Sequence, residues 1–302
     1  MKRAIFLIKK VIRGPIQPEQ SSETRTQFTT SRAIFFYPVY VPQRDGNRAA
    51  KQSSGTAAEM DSIELEKWEP EFLAVSDRLR LPSFDLGSGL LRHFPLRQMQ
   101  VQRVHKIKNE ELEARFGHQA AALGAEGACE TLLHGSPAAW KIAAEGFDVG
   151  RSESDNLFGR GVYLTPDPAT ANKYAFGKLQ PCPQHSDTHC VRCVRLLVVA
   201  DCLLGRPFLP SLAASTPLPW PCPPGFDSIV ADPATNPAVA RFLQSPEVVV
   251  FRNEQLMPRY VVEYTISVYS RDEFAKIVGQ QMRQMQQIPW SHRPAGVFSS
   301  AW

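Results

Sequence analysis

Cys182-Pro-Gln-His185-Ser-Asp-Thr-His-Cys190-Val-Arg-Cys193 carries the spacing C-x2-H-x4-C-x2-C. Three thiols and an imidazole fill a tetrahedral shell and leave no position open. The pattern therefore predicts a closed, structural metal site of the kind zinc occupies. The bland reading of the same residues is a set of free thiols in a proline-rich loop. Working outward, Leu132-Leu133-His134-Gly135-Ser136-Pro137 and Phe158-Gly-Arg-Gly161-Val162-Tyr163 lie upstream of it. Ser245-Pro-Glu247-Val-Val-Val-Phe251-Arg-Asn-Glu-Gln255 lies downstream.

The patterning around these motifs mixes helices and strands. Asn109 is placed to cap a helix with Glu110 and Glu111 in its first turn and an apolar stripe of Leu112, Phe116 and Leu123. Ser136-Pro137 opens a second helix that Gly146 ends, and Asp167-Pro168 opens a third that runs to near Gly177. Val194–Val199, Val248–Phe251 and Tyr260–Tyr269 are rich in β-branched and aromatic residues and read as strands, with a proline-rich loop over 205–226. Ser270-x-x-Glu273 is a capping box for a last helix with Phe274, Ile277, Val278, Met282 and Met285 on its apolar face. Few helices among several strands give an α+β fold.

The organisation expected is a basic, largely disordered segment over 1–60, a flank over 61–100, a main domain over 101–270, and a helix with a loose tail over 271–302. Ala33–Tyr37 is a candidate isolated strand, and Trp68 and Leu79–Leu81 are expected to pack onto the main domain. The N-terminus holds Lys2, Arg3, Lys9, Lys10 and Arg13 before its first acid, Glu19, and reads either as a basic tail or as an organelle transit peptide.

Bulk composition excludes several classes. A net charge of +4 gives no nucleic-acid or membrane-surface footprint, so direct nucleic-acid binding is not expected. No stretch approaches the roughly 20 apolar residues that span a bilayer. Six cysteines in 302 residues are too sparse for a disulfide framework. Metal-bound or buried thiols fit a reducing compartment, nucleus or cytoplasm, unless the N-terminus directs the chain to an organelle.

The ordered set of motifs between Val101 and Ile266 resembles the catalytic domain of the poly(ADP-ribose) polymerase family, the diphtheria-toxin-like ADP-ribosyltransferases, and the Cys182–Cys193 cluster resembles the tankyrase type of that domain. The stretches that carry the resemblance are Val101–Phe116, Glu130-Thr-Leu-Leu-His-Gly-Ser-Pro137, Glu145-Gly-Phe-Asp148, Phe158–Tyr163, Asn172-Lys-Tyr174, the metal cluster, and Glu247–Gln255. The resemblance implies an ADP-ribosyltransferase fold of two packed, mostly antiparallel sheets with flanking helices and a small zinc loop.

It also implies that NAD is a substrate, that proteins accept ADP-ribose, and that the zinc is structural. By it, His134 binds the NAD ribose, the Gly135 backbone pairs with the nicotinamide carboxamide, and Ser136 belongs to the same pocket. Tyr163 lines that pocket and Tyr174 stacks on the ring. Glu247 is the catalytic acid, with His134 and Tyr163 completing the catalytic set, and Cys182, His185, Cys190 and Cys193 hold the metal.

Each role has a physical basis. One exposed peptide unit answers both the donor and the acceptor of a carboxamide, and a glycine lets a ring come close to the backbone. Two aromatic faces hold a flat heteroaromatic ring, each stack contributing about 1 kcal/mol. Cleavage of the nicotinamide–ribose bond builds oxocarbenium-like charge, which a carboxylate stabilises. Glu263, also before a tyrosine in a strand, is the decoy; Glu247 has the right register to Arg252 and Gln255. In the family this acid accompanies chain elongation, yet some mono-transferases have it too. One position departs from the pattern: Ala171 stands three residues before Tyr174, where the family usually has a serine. The competing reading is a catalytically weak or inactive NAD-binding or protein-interaction module on the same fold.

Overall fold

The structure is a computed structural model in which residues 60–81, 95–124, 129–210, 222–236 and 239–287 are described. The readings of 1–59, with the Ala33–Tyr37 strand, and of the tail beyond 287 lie outside the described residues. The described residues belong to one compact unit, Ala58–Trp302.

Among the described residues, nine strands form two sheets. They are β1 (Asp61–Glu64), β2 (Leu96–Lys108), β3 (Cys129–Gly135), β4 (Val162–Leu164), β5 (Arg195–Leu203), β6 (Pro207–Phe208), β7 (Ser228–Ala231), β8 (Glu247–Val250) and β9 (Leu256–Val268). One sheet runs β1-β2-β9-β5-β3 and the other β4-β8-β7-β6. Every pair is antiparallel except β6 with β7. The α-helices among the described residues flank them: α1 (Pro70–Arg78), α2 (Glu110–Leu123), α3 (Ala139–Glu145), α4 (Pro168–Asn172) and α5 (Arg271–Gln287). The class is α+β, with two mostly antiparallel sheets and few helices.

Local chemistry sets most boundaries. Asn109 accepts the Leu112 N–H at 3.1 Å and caps α2, which Gly124 ends in the left-handed region at φ 60°. The capping box before α5 forms on both sides: Ser270 Oγ accepts from the Glu273 N–H at 3.2 Å, and Glu273 accepts from the Ser270 N–H at 2.9 Å. Phe274 and Val278 of that helix are buried and Ile277 is half-buried; the side chains of Met282 and Met285 lie outside the described ones.

Several expectations need correction. α3 starts at Ala139 rather than at Ser136-Pro137, whose serine instead accepts the Ala138 N–H at 3.1 Å in a preceding turn. α4 ends at Asn172, short of Gly177, because the chain turns there and Asn172 takes a bond from Tyr264. In α2 only Leu112 is fully buried, with Phe116 and Leu123 at the margin. Trp68 is 74% exposed rather than packed on the domain, whereas Leu79 is buried and Leu81 packs against the core as expected.

The core has two main layers. One lies under α1 and α4, where Phe72, Val75, Leu79, Leu133, Leu197, Val262 and Tyr264 meet. The other fills the space between the sheets, with Leu132, Val162, Leu164, Val198, Val248, Val250 and Val261 closed over by α3. Burial of this apolar surface, at about 25 cal/mol per Å², holds the strands in the register on which the site depends.

Candidate functional site

Beyond their packed core, the two sheets are joined by a backbone bridge at Thr165. Thr165 exchanges both backbone hydrogen bonds with Leu133, at 2.9 and 3.0 Å, and its hydroxyl donates to the Pro246 carbonyl at 2.7 Å. In an antiparallel strand the N–H and C=O of a residue point to the same side, and the side alternates along the chain. Leu133 faces away from β5, so Gly135, two residues on, faces away too. β3 is an edge strand, and the Gly135 peptide groups therefore look out from the sheet. A side chain at Gly135 would set its Cβ 1.9 Å from the Ala171 carbonyl oxygen. Glycine is required there because α4 lies directly against the strand.

Register also places the tyrosine and the acid. Tyr163 pairs with Val249 across β4 and β8, and Glu247 precedes Val249 by two residues. Cross-strand partners and i, i+2 neighbours share a face, so Tyr163 and Glu247 emerge on the same side. His134, Ser136, Tyr163, Tyr174 and Glu247 line one cleft of about 750 Å³, with Phe147, Asp148, Arg151 and Asn253 among the other walls. Among the described residues that line a hollow of about 800 Å³ between α1 and β2 there is neither an imidazole nor a tyrosine.

Each side chain in the cleft is held. His134 Nδ1 lies 2.8 Å from the Tyr163 carbonyl oxygen. A carbonyl only accepts, so Nδ1 carries the proton and Nε2 of the neutral ring keeps a lone pair. Burial holds this imidazole below its ordinary value of 6.5, against the pull of that carbonyl, which favours neutrality at pH 7. Phe147 packs edge-on at 5.4 Å.

The Tyr163 hydroxyl donates to Gly159 O and accepts from Phe158 N, each at 2.9 Å. With its phenol tied into that turn and raised by burial, Tyr163 presents a ring face rather than a proton. Gly161 permits the turn: a Cβ there would lie 2.5 Å from Val249 Cγ1. Tyr174 is about one-third exposed, and burial followed by the nearby Glu247 raises its phenol. Burial pushes the half-buried Glu247 carboxyl up, and Lys173 pulls it back. Lys173 itself donates to Gln244 at 3.4 Å.

Below the acid, Gln255 pins the Asn253–Gln255 turn. It donates to Leu203 O at 2.9 Å and Asp227 O at 3.0 Å, and accepts from Arg252 N at 3.2 Å. Asn253 accepts from Val149 N at 2.8 Å, fixing the segment that carries Phe147 and Asp148. Glu263 stands elsewhere, beside Arg103 and His105 at 3.4 Å each. The hydroxyl of Thr170 is committed to Asp167 and Ser245, at 3.0 and 2.6 Å, and does not stand in for one at Ala171. Phe147, Asn253 and Lys173 are site residues that sequence reasoning missed. All three lie inside the quoted motifs, where no role is assigned to them.

The second constellation is the knuckle formed by Cys182, His185, Cys190 and Cys193, whose ligand atoms lie within 4.8 Å of one another. Tetrahedral zinc, with bonds of about 2.3 Å to sulfur and 2.0–2.1 Å to nitrogen, sets sulfur–nitrogen separations of roughly 3.5 Å. His185 Nδ1 is 3.5, 3.5 and 3.4 Å from the sulfurs of Cys182, Cys190 and Cys193. Sγ of Cys182 and Cys193 are 3.4 Å apart, against roughly 3.8 Å in a regular tetrahedron. The four residues fit a metal ion, and the His185 N–H points at Cys182 Sγ from 3.2 Å. Among the described residues no helix is long and apolar enough to cross a membrane.

No protein-family model matches the chain.

Proposed function

We propose that this protein is an NAD-dependent ADP-ribosyltransferase, built on the poly(ADP-ribose) polymerase type of catalytic fold and stapled by a structural zinc ion. Four groups on one cleft support this reading: an imidazole with a free Nε2, two tyrosine rings, and a carboxylate, all beside an outward-facing glycine peptide. That set answers NAD group by group. The Gly135 N–H and C=O receive the carboxamide, and the rings of Tyr163 and Tyr174 flank the nicotinamide. His134 Nε2 accepts a proton of the ribose. Glu247 faces the sugar, where its negative charge opposes the positive charge that builds as the bond to nicotinamide breaks. The bonding electrons leave with nicotinamide. The protein acceptor forms the new bond to the anomeric carbon, and its proton passes to Glu247. Zinc is held by Cys182, His185, Cys190 and Cys193 and supplies rigidity to the loop.

The test is automodification with labelled NAD, comparing wild type with Glu247→Ala. Label is expected in the wild type and lost in the variant; equal label in both removes the enzymatic reading. One observation favours a second reading, a module that binds NAD weakly without turning it over. No hydroxyl is available at Ala171, and that of Thr170 is spoken for. Calorimetric NAD binding with no label transfer would select it.

A further inference from the structure

We infer that Arg195 is the counter-cation of the metal knuckle, and that through Tyr264 and Asn172 it ties the knuckle to the α4 wall of the cleft. The inference rests on the zinc reading and is independent of the transferase reading.

Arg195 opens β5, two residues beyond Cys193, and is 1% exposed. Its guanidinium donates to the Cys190 carbonyl at 2.6 Å and to those of Cys193 and Thr188 at 3.4 Å. It stacks 4.6 Å from the Phe176 ring centroid. Among the described residues its contacts include no carboxylate. A cation withdrawn from water without an anion is strongly disfavoured. A divalent ion held by three thiolates and a neutral imidazole carries one net negative charge, which the guanidinium matches. Its acceptors are carbonyls of two ligand residues and of the loop between ligands, so the same fork also fixes the path of the knuckle backbone.

The tie to the cleft is continuous. Arg195 pairs across the sheet with Tyr264. Tyr264 is fully buried and donates to Asn172 Oδ1 at 3.0 Å. Asn172 is the last residue of α4, Tyr174 lines the cleft two residues on, and Phe176 packs against the ligand cysteines. Residues 172–176 are thus held at one end through Tyr264 and at the other by the knuckle.

The experiment uses the zinc-loaded full chain as wild type, Arg195→Met, Arg195→Lys and Leu197→Ala, the last a packing control on the same strand. Zinc release is followed with a chromogenic chelator. Arg195→Met is expected to hold zinc about 10- to 100-fold more weakly, the range for groups supporting metal ligands, with Arg195→Lys intermediate and Leu197→Ala near wild type. In cobalt-substituted protein the thiolate charge-transfer bands shift for Arg195→Met and not for Leu197→Ala. Chelation of the wild type speeds amide exchange over 172–176.

If Arg195→Met holds zinc as wild type does, or Leu197→Ala loses it as readily, Arg195 is no counter-cation. Where the methionine chain does not fold, wild-type release by Arg195→Lys overturns the role of the fork. Unchanged exchange over 172–176 removes the tie. A wild-type chain without zinc overturns this inference and the zinc reading together, and an inactive chain that keeps zinc touches only the transferase reading.

Discussion

The knuckle and the cleft bring polar groups together by opposite routes. Four ligand atoms converge within a twelve-residue loop, and their spacing is visible in a single stretch of chain. In the cleft, His134, Tyr163, Tyr174 and Glu247 come from three strands and a turn, and they meet only because the sheets hold their register. The first arrangement can be lost locally. The second is lost by any change that slides one strand against another, since a one-residue slip turns a side chain to the opposite face.

The largest expected effect strikes the cleft alone. Glu247→Gln should lower transfer by about 10²- to 10⁴-fold, measured with labelled NAD, and leave zinc content unchanged. Burial raises the folded carboxyl above its ordinary 4.5. Its ionisation therefore costs stability as pH rises through the folded value, and below 4.5 there is no such cost. The same substitution should accordingly raise the melting temperature at neutral pH; a fall would contradict that.

Cys190→Ser strikes the knuckle. Native mass spectrometry should show about one zinc per wild-type chain and none in the variant, with a lower melting temperature. If the two regions were unconnected, amide exchange around Tyr174 would not respond.

Gly135→Ala tests how closely α4 approaches the sheet. Relief of the overlap with Ala171 should cost about 1–3 kcal/mol, read by denaturant unfolding, and weaken NAD binding as Tyr174 shifts. His134 supplies a milder, pH-dependent effect. Its folded value lies below 6.5, so the stability it contributes is complete above 6.5 and lost as pH falls through the folded value. Activity should fall on the same acid limb, and His134→Asn should flatten the stability change there. The smallest effect is Ala171→Ser, one added hydrogen bond of about 0.5–1.5 kcal/mol, tightening NAD by up to about tenfold in a titration.

Features encoded by neighbouring residues could be read from the chain. Asn109, Ser270-x-x-Glu273 and the cysteine–histidine spacing each state their partner within a few positions. The α+β class emerged from strand composition. The tautomer of His134 was beyond reach, since its partner is a backbone carbonyl 29 positions away. So was the edge position of Gly135, which depends on Leu133 bonding Thr165. The third helix reads too long in the sequence because no breaker precedes Gly177; a tertiary bond from Tyr264 to Asn172 accompanies its early end. Nothing in the structure explains the exposed Trp68.

Thr165 gives the cleft a fixed gauge. By its backbone it grips the strand that carries His134 and Gly135, and by its hydroxyl the segment that leads into Glu247. Prising the two jaws apart would break both backbone bonds to Leu133 together, while the hydroxyl bond keeps Thr165 with the Glu247 side. A bulky guest is therefore not accommodated by spreading the sheets, and selection by size falls to the side chains that hang into the gap.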